Sequence, residues 1–247
     1  MLSLRNLSKR FGGVVAVERV TLEVRAGEVH ALIGPNGAGK TTLIHQVSGS
    51  LPADTGEIFF EERDITRLPA HERVRAGLAR SYQVTSIFRR FSVLDNLALA
   101  VQARSGTSFS FWRPVAKERS IFDEARAVAA DVNLEAKLGA QASTLSHGEQ
   151  RALEVGLALA TRPRLVLLDE PMAGMGPEES QRMIALISRM RERVTVLLVE
   201  HDMDAVFRLA DRISVMVNGR LIATGAPSAI RANAEVRKAY LGDEVAA

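Results

Sequence analysis

Residues 34–41 read Gly-Pro-Asn-Gly-Ala-Gly-Lys-Thr, and this stretch decides the fold. It matches the pattern G-x-x-x-x-G-K-[ST] in full, and the apolar residues 28–33 (EVHALI) before it are typical of a central strand. Glycines allow the backbone to turn its N–H groups inward around a phosphate. A helix predicted from about Gly39 to Ser48 adds the positive end of its dipole. The stretch therefore predicts a strand, a phosphate-binding loop and a helix in succession.

Two side chains of this loop carry its chemistry. We expect Lys40 to place its charge beside the β- and γ-phosphates of ATP, and Thr41 to offer its hydroxyl to Mg²⁺. A glycine-rich turn of purely structural use is the alternative, which the agreement of motif and context disfavours. The residues expected to bind ATP here are Gly34, Pro35, Asn36, Gly37, Ala38, Gly39, Lys40, Thr41 and Thr42.

The rest of the chain alternates short β-branched runs with longer helical patterns, which indicates an α/β fold with a mostly parallel sheet. Residues 14–24 alternate in the manner of a strand at an antiparallel β edge. We predict a P-loop NTPase core formed by residues 1–84 and 161–247, with residues 85–160 as an inserted all-helical subdomain. Further strands are predicted at 56–60, 164–169, 194–199, 212–217 and 220–223, helices at 93–103, 117–131, 149–160, 177–192, 203–210 and 227–241, and a loop at 105–114.

Composition excludes several classes of protein. The 247 residues carry a net charge of +3 from 32 basic and 29 acidic residues, without a block of like charges, which argues against a nucleic-acid binder. Cysteine is absent, so disulfides and thiolate metal sites are excluded. The apolar runs are too short to cross a bilayer. A chain of this kind is expected to be soluble by itself and to reach a membrane only through a partner.

An acidic pair follows a second buried strand. Residues 164–171 read RLVLLDEP, which places Asp169 and Glu170 at the carboxyl end of that strand, where open α/β sheets bind ligands. We expect Asp169 to hold Mg²⁺, directly or through water, and Glu170 to orient or deprotonate the attacking water. An ordinary strand end with a solvated acidic turn is the alternative, and the phosphate loop favours the functional interpretation.

Residues 145–151 (LSHGEQR) predict the start of a helix. Ser146 and Glu149 form the S-x-x-E pattern of a capping box. A capped helix start is also an anion site, so a structural and a functional role are compatible. The residues alone do not say whose phosphate would bind there.

The order of these motifs resembles that of ABC ATPases, and the match covers nearly the whole chain. The resemblance implies that two subunits bind two ATP molecules head to tail, with Ser146 and Gly148 of one subunit contacting the γ-phosphate held by Lys40 of the other. ATP and Mg²⁺ are the implied cofactors. The matching positions are Gly34–Thr41, Gln83, Leu145–Gln150, Asp169–Glu170 and His201.

Three further roles are implied by the resemblance. Gln83 would contact Mg²⁺ and the attacking water while joining the core to the helical subdomain, His201 would contact the γ-phosphate, and Phe11 would stack on adenine. A core ring is the alternative for Phe11, and a buried histidine the alternative for His201. The catalytic set is then Lys40, Gln83, Glu170 and His201.

Three positions depart from the family pattern. We call residues 145–151 the signature segment. Glu149, which is expected to contact ATP, replaces the Gln that is usual at its position in this segment, and Gly176 lies where Asp is common in the family. Both leave contacts between subunits open. His147 replaces a frequent Gly and is expected to be solvated.

Within the family the chain most resembles the longer ATPase type of branched-chain amino acid importers. Urea and amide importers and lipopolysaccharide exporters have similar ATPases, and soluble ABC ATPases of translation or DNA repair form the other class. A single cassette without a long coiled coil favours a transporter. The resembling segments are Lys9–Val17, Ala79–Asn96, Ala173–Pro177 and Val236–Gly242, with the stretch Ser105–Pro114 typical of the longer type.

The implied partners are a second ABC ATPase subunit (the same or a different chain), transmembrane permease subunits and, indirectly, a periplasmic substrate-binding protein, with no nucleic acid. The implied location is the cytoplasmic face of the inner (plasma) membrane, as a peripheral protein. We expect Val84–Phe91 and the helix to Ala103 to receive the permease. Ile87, Phe88 and Phe91 would be apolar anchors and Arg89 and Arg90 polar rim contacts, unless the rings fill the subdomain's own core.

Overall fold

Two β-sheets organise the protein, which a computed structural model describes over residues 1–81, 87–104 and 115–241. One sheet has six strands and the other four within these residues. The strands are β1 (Leu2–Phe11), β2 (Val14–Val24), β3 (Val29–Ile33), β4 (Thr55–Phe60), β5 (Arg63–Asp64), β6 (Leu78–Arg80), β7 (Leu165–Asp169), β8 (Thr195–Val199), β9 (Arg212–Val217) and β10 (Arg220–Gly225).

The six-stranded sheet has the order β10-β9-β3-β8-β7-β6. All neighbours pair in parallel except β10, which is antiparallel to β9 at one edge. Every residue of β3, β7 and β8 is buried, which explains why all but one residue of each strand is apolar. The register sets Leu32 and Asp169 opposite Val199, so the carboxyl ends of three central strands meet at one edge. The predicted, mostly parallel α/β fold is confirmed.

The four-stranded sheet is antiparallel in the order β2-β1-β4-β5. Its strand β2 confirms the strand predicted at 14–24. The prediction missed β1, because that strand does not alternate regularly. Leu4 and Leu7 are both buried although they are three residues apart, and the left-handed Asn6 (φ 50°) lies at the register shift between them. It also missed β6, which has only three residues.

Helices cover the sheets and confirm most of the predicted positions within a few residues. The tail is helical over 227–241, as predicted, apart from one break. It breaks at Asn233, whose side-chain oxygen accepts hydrogen bonds from the N–H groups of Glu235 and Val236 and so caps a new helix. The helices are α1 (Lys40–Ser48), α2 (Ala70–Arg75), α3 (Val93–Arg104), α4 (Val115–Asp131), α5 (His147–Ala160), α6 (Pro177–Met190), α7 (Met203–Leu209), α8 (Pro227–Ala232) and α9 (Ala234–Val236), followed by a π-helical turn at Arg237–Leu241.

Helices α3, α4 and α5 lie between β6 and β7 in the sequence, and they pack on one another. Their buried residues, among them Leu97, Ala125 and Leu153, join the core that covers one face of the parallel sheet. The predicted boundary near residue 84 and the predicted loop at 105–114 lie outside the described residues. In the described part of the chain, none of the helices has the length and apolar character needed to cross a bilayer.

Candidate nucleotide-binding site

The phosphate loop joins the end of β3 to the start of α1. Gly34 and Gly39 have φ angles of 152° and 101°. A Cβ atom would lie 2.0 Å from the carbonyl oxygen of Met216 at Gly34, and 2.1 Å from that of Ala16 at Gly39. The loop is therefore wedged between β2 and β9, and only glycine fits at these two positions.

Lys40 is buried at the start of α1. Its Nζ donates hydrogen bonds to the carbonyl oxygens of Gly34, at 2.6 Å, and Pro35, at 3.0 Å. Burial lowers the pKa of Lys40, while the carboxylates of Glu170 and Asp169 act in the opposite direction. The ammonium group is thus held within the loop and near the acidic pair. Thr41, the next residue, is exposed.

Asp169 ends β7 with its side chain almost fully buried. Its Oδ2 accepts a hydrogen bond from Nη2 of Arg80 at 3.0 Å, and its Oδ1 is buried without a hydrogen-bond partner among the described residues. Arg80 also donates to the hydroxyl of Ser48 at 3.3 Å. Sequence reasoning missed Arg80, because a lone arginine at the end of a three-residue strand gives no signal of its partner.

Glu170 leaves the strand in a left-handed conformation, with φ 48°, which is uncommon for a residue other than glycine. Its N–H donates to the carbonyl oxygen of Val199 at 2.9 Å, which ties the turn after β7 to the end of β8. The Oε1 of Glu170 lies 3.9 Å from Nδ1 of His201, whose side chain is 58% exposed. The backbone turn therefore directs the carboxylate toward the histidine and out of the core.

Glu200, the residue before His201, is buried and was not predicted as part of the site. Its carboxylate accepts hydrogen bonds from the N–H groups of Met172, at 2.9 Å, and His201, at 3.0 Å. Burial raises the pKa of Glu200 in spite of these bonds. It joins the turns that follow β7 and β8, and so positions Glu170 and His201.

The signature segment begins α5, as predicted. Ser146 is the N-cap residue, and its hydroxyl accepts from the N–H of Glu149 while the Glu149 carboxylate accepts from the N–H of Ser146 at 2.9 Å. Glu149 also pairs with Lys137 at 2.6 Å, so its carboxylate already has structural partners. His147 is exposed, as expected.

The predicted site residues form separate groups. Lys40, Asp169, Glu170 and His201 come together at the carboxyl edge of the parallel sheet. Ser146 and Gly148 form hydrogen bonds with residues of α5 and α6 rather than with the phosphate loop. Gln83 lies outside the described residues.

Phe11 ends β1 and is 50% exposed, so the interpretation of its ring as a core residue was wrong. The Nζ of Lys9 lies 5.6 Å from the ring centroid. A half-exposed aromatic face of this kind is available for stacking.

Comparisons with known proteins agree on one family. A sequence model described as "ABC transporter" matches residues 17–173, and one described as "Branched-chain amino acid ATP-binding cassette transporter" matches residues 220–246. The branched-chain amino acid transport ATP-binding protein BraF of Pseudomonas aeruginosa is 39% identical over 250 residues, covering 98% of each chain. The lipopolysaccharide export system ATP-binding protein LptB of Escherichia coli is 37% identical over 244 residues, again covering 98% of each. The solved ADP conformation of an ATP-binding cassette of an ABC transporter has a TM-score of 0.86 and 31% identity, covering 98% of this chain and 99% of that one.

Proposed function

We propose that this chain, which belongs to the ABC transporter family and is one of its ATPase subunits, binds Mg²⁺-ATP at the phosphate loop and powers the import of branched-chain amino acids. The observation that carries the chemistry is the convergence of Lys40, Asp169, Glu170 and His201 at one sheet edge. The match of residues 220–246 to the branched-chain amino acid cassette model supports the transported class.

ATP would lie over the loop with its phosphates against the N-terminus of α1. Lys40 is close enough to the loop carbonyls to exchange them for phosphate oxygens, which as anions are stronger acceptors. The exposed ring of Phe11 would stack on adenine.

The residues present fit a magnesium ion. The buried Oδ1 of Asp169 lacks a hydrogen-bond partner among the described residues, and Thr41, an exposed residue in the first turn of α1, carries a hydroxyl. Both are hard oxygen donors of the kind Mg²⁺ prefers, and Gln83 is a third ligand by resemblance. When bound, the ion would neutralise charge on the β- and γ-phosphates. Arg80 donates its hydrogen bond to the other oxygen of this carboxylate, Oδ2.

Hydrolysis would depend on Glu170 as the group that orients the attacking water and accepts its proton. The left-handed turn that directs Glu170 away from the core supports this role, and His201, 3.9 Å from Glu170, would contact the γ-phosphate. Ser146 and Gly148 would complete the site of a second ATPase subunit, whether the same or a different chain. The site is then shared between two subunits.

Transport requires permease subunits, and we place their docking surface at Phe88 and Phe91. The two rings stack with centroids 5.4 Å apart and are 57% and 45% exposed. Ile87, predicted as a third anchor, is instead 7% exposed and packs in the core. The protein would bind at the cytoplasmic face of the membrane, with a periplasmic binding protein delivering the substrate from the other side. An apolar pair at the surface supports a protein partner.

Lipopolysaccharide export is the second candidate, because LptB is nearly as similar as BraF over the same length. The C-terminal family match favours amino acid import. Co-purification of the chain from native membranes, followed by reconstitution in vesicles, separates the two. We expect leucine with its binding protein to stimulate ATP turnover. Stimulation by lipopolysaccharide alone would reject the import proposal.

The ATPase chemistry is tested with Glu170→Gln. We expect the variant to bind ATP normally and to hydrolyse it about 10²–10⁴-fold more slowly, because the amide cannot accept the proton. Glu178→Gln, which removes an exposed carboxylate in α6, is the matched control and should retain turnover. Equal turnover in the two variants would contradict the role of Glu170.

A further inference from the structure

One carboxylate of the chain occupies the start of the signature helix. Oε1 of Glu179, in the first turn of α6, accepts a hydrogen bond from the hydroxyl of Ser146 at 3.0 Å. The same oxygen accepts the N–H of Gly148 at 3.1 Å. These two donors are the ones that the family resemblance assigns to the γ-phosphate of a partner-bound ATP.

The close approach depends on the glycine. A Cβ atom at position 148 would lie 2.8 Å from Oε1 and 2.9 Å from Cδ of Glu179. A larger residue here would press on the Glu179 carboxylate, which would have to shift to keep its hydrogen bond to this N–H group. A phosphate that binds the N–H group of Gly148 would need the same space that the Glu179 carboxylate occupies.

Glu179 is held there as an anion. The N–H of Gly148 and the hydroxyl of Ser146 are the main causes that lower the pKa of its carboxyl group. Two anions cannot share one pair of donors, and a carboxylate beside a γ-phosphate would repel it. The carboxylate must therefore leave before a phosphate can bind.

We propose that Glu179 is a specificity-determining residue of the ATP sandwich, which occupies the signature site until a γ-phosphate displaces it. This inference rests on the proposed contact between Ser146 and Gly148 of one subunit and the ATP of the other. The competition raises the ATP concentration needed to join two subunits. It also makes closure depend on a ligand more strongly anionic than a carboxylate, which ATP provides at this position and ADP does not.

The displaced side chain has a second position within reach. Arg182, one turn further along α6, lines the same cavity of about 90 Å³ as Glu179 and Gly148. In this structure Nη2 of Arg182 lies 3.6 Å from Oε2 of Glu178, whose side chain is 89% exposed. A Glu and an Arg three residues apart on a helix can pair, so the released carboxylate would meet a cation.

The test uses the full chain in the Glu170→Gln background, which keeps bound ATP unhydrolysed. Dimer formation is measured by analytical ultracentrifugation against Mg²⁺-ATP concentration for this parent and for the added changes Glu179→Gln and Glu179→Ala. Because charge-assisted hydrogen bonds are about twice as strong as neutral ones, we expect both to dimerise at about three- to tenfold less ATP than the parent. ATP affinity measured on dilute monomer should be unchanged, since the change acts only at the signature site.

Glu192→Gln is the matched control, because it removes one exposed negative charge just beyond the other end of α6 without touching Ser146, Gly148 or Arg182, and it should dimerise like the parent. If Glu179→Gln dimerises like this control, or requires more ATP than the parent, Glu179 only braces α5 against α6 and the inference is overturned. If the parent fails to dimerise at saturating ATP while dilute monomer binds it, the shared-site proposal itself is wrong, and the inference with it.

Discussion

Ile87 and Phe88 are adjacent in the chain but have opposite surroundings, and this contrast gives a quantitative prediction. Phe88 is 57% exposed, whereas Ile87 is 7% exposed and belongs to the helical core. A phenylalanine side chain offers about 200 Å², of which roughly two-fifths is covered here, so Phe88→Ala should remove at most about 2 kcal/mol of stability. Ile87→Ala leaves a cavity and should cost about 2–5 kcal/mol.

The backbone around Phe88 does not depend on its ring. Asn96 accepts the N–H of Phe88 at 2.8 Å and donates to its carbonyl oxygen at 3.1 Å, and both bonds survive truncation. We therefore expect Phe88→Ala to fold, to bind ATP and to lose transport in the assembled complex, while ATP turnover becomes independent of substrate. Denaturant unfolding of the isolated chain and uptake by reconstituted vesicles measure the two effects separately.

Two results would refute this reasoning. A loss of 3 kcal/mol or more, about that of a buried ring, would mean that Phe88 supports the fold. Normal coupling of turnover to uptake in the variant would mean that the permease binds elsewhere. Phe91→Ala, which removes the stacked neighbour, should reproduce the uncoupling if the surface is correctly assigned.

Three other changes test the site and its supports. Lys40→Ala should abolish the gain in thermal stability that ATP gives the wild type, which is about 2.7 kcal/mol at a hundredfold excess over Kd, and an undiminished gain would contradict the loop assignment. Gly39→Ala should unfold at a lower temperature and fail to bind ATP in calorimetry, because its Cβ would lie 2.1 Å from the carbonyl oxygen of Ala16. Burial raises the pKa of Glu154 above its usual 4.5. The stability that the protonated Glu154 side chain contributes is therefore present below that pH, and it is lost as the pH rises through the pKa of the folded state. The Tm of the wild type minus that of Glu154→Gln should therefore fall as the pH rises above about 4.5, and a constant difference would reject a raised pKa.

Local sequence patterns were sufficient to predict the structure wherever a short segment makes its contacts within itself. The phosphate loop, the buried strands around it and the capping box at Ser146 follow from residues within a few positions of one another, and the structure has them as predicted. The irregular strand β1 and the break at Asn233 within the helical tail were not predicted. In both, one residue changes the backbone direction: Asn6 through a left-handed conformation and Asn233 through its cap.

Contacts between distant segments were not predictable. Arg80 on Asp169 and Glu200 on the turn after β7 join residues that are 89 and 28 positions apart. Each alone has an ordinary sequence context. Phe88 and Ile87 are both apolar and adjacent, so periodicity could not say which one the helical core would bury.

The sequence by itself determined the α/β fold, the phosphate loop and the acidic pair, because these depend on glycine conformation, strand hydrophobicity and side-chain chemistry within short segments. Only the tertiary structure decided that Glu179 lies against the donors of Ser146 and Gly148. That contact requires the starts of α5 and α6 to meet, although Glu179 is 31 residues from Gly148 and 33 from Ser146 in the sequence. Packing of the two helices sets this distance, and no local pattern encodes it.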